Sequence, residues 1–167
     1  MAAVSELVSA EQYLHMSFEH DAEFVEGRIV ERPVPTWPHA SIQGFLISEL
    51  WAKGRSLGLF AVPEQRVQTR PRRFRVPDVC VVSEKPEGGL IVTKPPYLCI
   101  EILSPEDTVV ETQDKVREYL NFGVNWVWVI DPVARAGEVH ARNSVVRVED
   151  GIFSTDRFSV DLSAAEF

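Results

Sequence analysis

VPDVCVVS, residues 76–83, and PPYLCIEILSP, residues 95–105, decide the architecture. Both are apolar at nearly every position instead of at alternate ones, the pattern of strands covered on both faces by helices. Each carries one carboxylate, Asp78 in the first and Glu101 in the second. A charge in such a strand costs free energy unless it is paired or coordinates a metal. If the strands pair antiparallel with Asp78 opposite Glu101, partner numbers sum to a constant and Cys80 falls opposite Cys99. All four side chains then share one face. Two clustered carboxylates repel, and a divalent cation relieves them; an all-oxygen donor set suits Mg²⁺. The other reading is a pair of acids satisfied by an arginine or by backbone donors.

Working outward, the flanking elements follow from spacing. Upstream, LFAVPEQRVQT (59–69) and FRVPDVCVVS (74–83) read as two strands joined through a basic turn at Arg70, Pro71, Arg72 and Arg73. Before them, Ile42, Phe45, Leu46, Leu50 and Trp51 recur at helical spacing over roughly Pro38 to Arg55. AEFVEGRIVERP (22–33) is a hairpin turning at Glu26 and Gly27, and Ser9 with Gln12 opens a short helix over AEQYLHM. Downstream, Thr108 and Glu111 open a helix that ends near Phe122 with Gly123 as its cap. NWVWVID (125–131) is the next strand, with Trp126 and Trp128 read as core. GEVHARNSVVRVEDGIF (137–153) is a hairpin, and the last residues read as irregular or edge structure. The fold class is α/β: a mixed sheet flanked by helices, with a hairpin at each end. No repeat or linker divides it, so residues 1–167 read as one domain.

Composition excludes several classes. Hydrophobic residues are 45% and charged residues 25% of the 167, as in a folded globular chain. No apolar run approaches the roughly 20 residues of a membrane helix. MAAVSELVSAEQ (1–12) shows no secretory leader, and two cysteines make no disulfide framework, so a reducing cytoplasm is the expected location. Cysteine and histidine ligands at zinc spacing are absent, as are a glycine-rich phosphate loop and a nucleophile elbow. The net charge of −8 opposes a broad nucleic-acid-binding face; cations for a phosphate backbone must be concentrated locally.

An acid pair with a metal lacks only a cation. A lysine two residues after Glu101 would share its face, but Leu103 stands there, and the next lysine is Lys115 in TQDKVREYL. Lys115 can also be read as a solvated helix lysine beside Glu111.

These residues, taken in order, resemble the PD-(D/E)XK nuclease superfamily, and more fully the Uma-type family of restriction endonucleases. The matching pieces are AEFVEGRIVE, PHASI, VPDVCVV, PPYLCIEILSP, DKVREYLNFGV and WVWVIDP, in sequence from about Ser9 to Pro132. The resemblance implies a restriction-endonuclease-like fold and a metal-dependent endonuclease acting on DNA. It implies Mg²⁺ (or Mn²⁺) held by Asp78 and Glu101, with help from the Ile102 carbonyl, and Lys115 as the lysine displaced from strand to helix. It also implies roles for Glu23 in the opening hairpin and His39 at the head of the first core helix. Read without it, Glu23 is an exposed hairpin acid and His39 a neutral imidazole at a helix N-terminus. Arg70, Arg72, Arg73 and Arg75 could touch phosphate, though a solvated strand turn is the simpler reading. Leu103 keeps a second function open: a nuclease-fold binding or scaffold module without activity. Cutting both strands of DNA suits a two-fold homodimer, for which the C-terminal hairpin and the tail LSAAEF (162–167) offer an edge.

Overall fold

The structure is a computed structural model that describes residues 7–166. Residues 1–6, part of the stretch read for a leader, and Phe167 of the tail lie outside the described residues. Helix α1 (Ala10–His15) opens on a complete capping box between Ser9 and Gln12. Strands β1 (Ala22–Val25) and β2 (Arg28–Glu31) form the first hairpin. Its turn needs two left-handed residues, and Glu26 (φ 51°) and Gly27 (φ 92°) supply them. Helix α2 runs Trp37–Leu57 and stops at Gly58, φ 66°. It buries Ile42, Leu46 and Leu50, one residue per turn. Trp51 does not join them: it is 48% exposed, because it lies a hundred degrees round the helix from Leu50.

The expected two strands between residues 59 and 83 are four. LFAVPEQRVQT divides into β3 (Phe60–Pro63) and β4 (Val67–Arg70), and FRVPDVCVVS into β5 (Arg73–Arg75) and β6 (Val79–Val82). Glu64, at φ 50°, turns the chain directly after Pro63, and Pro77 has no N–H to donate to a ladder. Both breaks move the chain from one sheet to another. Strands β4 and β5 join the hairpin in a four-stranded sheet of order β2-β1-β5-β4.

Strands β3 and β6 belong to the main sheet with β7 (Leu98–Ile102), β8 (Trp126–Asp131), β9 (Ala136–Ala141) and β10 (Ser144–Val148). Its order is β10-β9-β8-β7-β6-β3, and only β7 and β8 are parallel, so the sheet is mixed. Helix α3 (Val109–Phe122) makes the crossover between those two, capped by Thr108 and ended by Gly123. One face of the sheet carries Val79, Val81, Leu98, Ile100, Trp128 and Ile130 against the α2 stripe. The other carries Cys99, Val127 and Val129 against Val116 and Tyr119 of α3.

The tail is not irregular edge structure. β11 (Ile152–Ser154) and β12 (Ser159–Asp161) pair, and Phe153, Val160, Leu162 and Ala165 are buried in the α2-side core. Strands of three residues are too short to show a period, which hid them. The exposed edge is β10 instead, where Val145 and Val146 are 61% and 56% exposed. Trp128 is fully buried, whereas Trp126 is half-buried and donates its indole N–H to Asp156 at 3.1 Å.

Candidate active site

The ladder between β6 and β7 pairs Val79 with Ile100, Cys80 with Cys99 and Val81 with Leu98. Asp78 lies one residue before β6, beyond the last ladder pair, and is tied to β7 by its side chain: the Ile102 N–H donates to Asp78 Oδ2 at 2.6 Å. Cys80 and Cys99 are buried free thiols, and burial pushes the Cys99 thiol well above its ordinary range. Glu101 sits within β7 on the α3 face, where Tyr119 Oη donates to its Oε1 at 2.7 Å.

Lys115 comes from α3. Its Nζ is 3.1 Å from Glu101 Oε2 and 3.6 Å from Glu23 Oε1, so it is half-buried against those two acids and its ion pairs are with them, not with Glu111. Glu111 instead accepts from the Thr108 hydroxyl at 2.6 Å. Glu23 is no exposed hairpin acid: it is buried on β1, accepting Arg75 Nη1 at 2.7 Å and the Val76 N–H at 3.2 Å. His39, in the first turn of α2, is buried with Nε2 3.3 Å from Asp78 Oδ1, and its Nδ1 has no hydrogen-bond partner among the described residues. All five side chains line one cleft of about 820 Å³.

Five more side chains complete the arrangement. The Arg32 guanidinium, just past β2, pairs with Asp78 Oδ1. Arg75 bridges Glu23 to Glu118, donating from Nε (3.1 Å) and Nη2 (2.8 Å) to Glu118 Oε2. Arg73 also reaches Glu118 Oε2 at 3.1 Å, and Thr69 donates to Oε1. The solvated-turn reading therefore holds for the exposed Arg70 and Arg72 and fails for Arg73 and Arg75. Strand alternation was the available signal: Arg73 and Arg75 share the face opposite Phe74, which packs on Tyr13 and Phe24. Glu118 follows Lys115 by three residues, hence the same helix face. Nothing in the sequence marks Arg32 or the Tyr119 hydroxyl as site groups.

The electrostatics follow from burial. Burial pushes the Glu101 carboxyl up; Lys115 opposes this, and Asp78 and Glu23 reinforce it. Burial also acts against ionised Asp78, yet the His39 hydrogen bond and the Arg32 charge hold its carboxyl below the usual range. Burial works against the Lys115 ammonium, but Glu101 and Glu23 keep it charged. Eleven acids line the cleft against the three cations Arg32, Arg75 and Lys115, so a polyanion approaching it meets net negative charge. Among the described residues no three His, Cys, Asp or Glu side chains group as a ready-made metal cage.

Comparison with known proteins gives one family and one fold. The family Uma2, described as "Putative restriction endonuclease", matches residues 10–164. A crystal structure of a putative nuclease belonging to DUF820, from Anabaena variabilis, superposes with a TM-score of 0.78 at 23% identity. The match covers 93% of this chain and 96% of that one, and shows that the two share a fold. No curated protein matches.

Proposed function

Because the chain belongs to the Uma2 family of putative restriction endonucleases, we propose that it is a metal-dependent endonuclease hydrolysing phosphodiester bonds in DNA. The proposed cofactor is Mg²⁺ or Mn²⁺, held by Asp78 and Glu101. The donor set fits such an ion. Two carboxylates from neighbouring strands line an open cleft beside Ile102, whose carbonyl would add a third oxygen. Remaining positions would fall to water, as Mg²⁺ accepts.

A divalent ion there supplies Lewis acidity toward water and toward a phosphoryl oxygen. In this reading the Lys115 ammonium orients the attacking water and offsets the charge that gathers on the phosphoryl oxygens in the transition state. Glu23, anchored by Arg75, fixes Lys115 from its far side. His39 steadies the Asp78 carboxylate. The observation that carries the reading is the position of Lys115: it reaches Glu101 from the helix where Leu103 offers no cation. Plasmid cleavage by wild type and Asp78→Asn, with and without Mg²⁺, tests it. Metal-dependent cutting lost in the variant is expected; no cutting by either protein would sink the enzyme reading.

One observation favours a second reading, a nuclease-fold binding or scaffold module. Every carboxylate oxygen of Asp78 and Glu101 already has a partner within the protein. Absence of cutting together with retained DNA binding would select it. We propose further that the protein works as a homodimer in the cytoplasm. Exposed β10 offers the edge that the buried tail does not, and the adjacent Cys80 and Cys99 remain thiols. No described helix is long and apolar enough to cross a membrane. Light scattering at micromolar concentration tests the dimer.

A further inference from the structure

Asp78 has a cation on it already. Oδ2 is held by the Ile102 N–H, and Oδ1 by the Arg32 guanidinium, with His39 Nε2 3.3 Å from the same atom. Oδ1 is the oxygen that carries no backbone hydrogen bond, so it is the one a divalent ion approaches with least competition from the backbone, and there Arg32 stands in the way. The charges of the linked set balance: Glu23, Asp78, Glu101 and Glu118 face Arg32, Arg73, Arg75 and Lys115. Adding two positive charges to a balanced, desolvated set is unfavourable unless a resident cation leaves.

The three cations that line the cleft are held unequally. Arg75 makes hydrogen bonds to two buried carboxylates, and Lys115 lies within 3.6 Å of two. Arg32 has one close carboxylate, Asp78; its second, Glu64, is exposed and 3.8 Å away. The Arg32 backbone is pinned, its N–H donating to the Asp21 carbonyl at 2.9 Å, so its long side chain is the part free to swing. Arg32 also lines the cleft, so the guanidinium has an open space to enter.

We propose that Arg32 is a resident counter-ion which a divalent cation displaces from Asp78, so that metal entry turns the guanidinium into the cleft as a fork for a phosphate. A guanidinium fits two phosphate oxygens at once, which an ammonium cannot do. Metal and phosphate binding are thereby coupled through one side chain. The inference rests on the metal reading above.

Mn²⁺ binding to wild type, Arg32→Met and Asp78→Asn, followed by the electron paramagnetic resonance of free Mn²⁺, tests it. Arg32→Met should bind Mn²⁺ about tenfold tighter, the scale of one charge-assisted hydrogen bond that no longer has to break. A purely structural role for Arg32 would leave affinity equal or lower it. In wild type, the guanidinium nitrogen resonances of Arg32 should move as Mg²⁺ saturates the protein. That measurement decides the matter if Arg32→Met does not fold. Equal or weaker Mn²⁺ binding by a folded Arg32→Met, or unmoved Arg32 resonances at saturation, overturns the inference alone. If neither wild type nor Arg32→Met binds Mn²⁺, the metal reading fails and takes this inference with it.

Discussion

Lys115 Nζ stands 3.1 Å from Glu101 Oε2, although the two belong to different elements, 14 residues apart in sequence. The helix that follows β7 folds back over the strand's carboxyl end and delivers an ammonium where the strand has Leu103. Lys115→Ala should stay folded and bind Mn²⁺ at least as tightly as wild type, while lowering turnover about 10²–10³-fold, the usual loss of one charge-stabilising donor. Single-turnover cleavage beside a Mn²⁺ titration separates these effects. A fully active alanine variant would end the displaced-lysine mechanism.

An acidic cleft should make nucleic-acid binding conditional on metal. Ordinary DNA-binding surfaces lose affinity steeply with salt because they release counterions. Here the lining acids outnumber the cations, so binding in chelator should be weak and should rise on adding Mg²⁺. Fluorescence anisotropy of a labelled duplex measures this. Tight binding in chelator with a steep salt dependence would show that the duplex docks on another surface.

How legible this site was depends on the kind of evidence each residue offers. Asp78 and Glu101 stand out because a carboxylate within an apolar run is anomalous, and the Cys80–Cys99 register follows from strand parity. Lys115 could be located because one cation was missing and one helix lay in the right direction. Arg32 could not, since its partner Asp78 is 46 residues away and in a different sheet arrangement. The breaks at Glu64 and Pro77 do not show in the sequence because strand-forming residues stand on both sides of each. Only tertiary structure reveals that the two halves of each run enter different sheets.

Acid should remove the contribution of the Glu118 cluster. Burial works against ionised Glu118, yet hydrogen bonds from Arg75 and Thr69 hold its carboxyl below the ordinary range. A depressed folded value means that the stabilisation is complete above about pH 4.3, the unperturbed glutamate value, and is lost as pH falls through the folded value. Glu118→Gln should cost about 3–5 kcal/mol at neutral pH by leaving buried Arg75 short of a partner. Urea unfolding of both proteins should converge toward acid. A pH-independent gap between them would contradict the charge argument.

The C-terminal hairpin should behave as core. Phe153 is fully buried with its ring centroid 5.6 Å from that of Trp128, so Phe153→Ala should cost about 3–5 kcal/mol. Val145→Ala, on the exposed edge strand, should stay within about 0.5 kcal/mol of wild type. Equal unfolding midpoints for the two variants would mean that the hairpin is not integrated with the main sheet.

Helix α3, which bridges the two sheets through Lys115 and Glu118, also dictates an order of events at the ribosome. Glu23, Arg32, Arg75, Asp78 and Glu101 all emerge before residue 109, and the two groups that join them across the sheets, Lys115 and Glu118, emerge after them. A nascent chain halted short of Val109 holds Glu101 with no ammonium and Arg75 without Glu118. A domain folds as a unit, so the hairpin, α2 and the early strands meet their full set of partners only after α3 has been made. The acid cluster thus stays in pieces until α3 has been made, and a polypeptide that ends before that helix carries only those pieces.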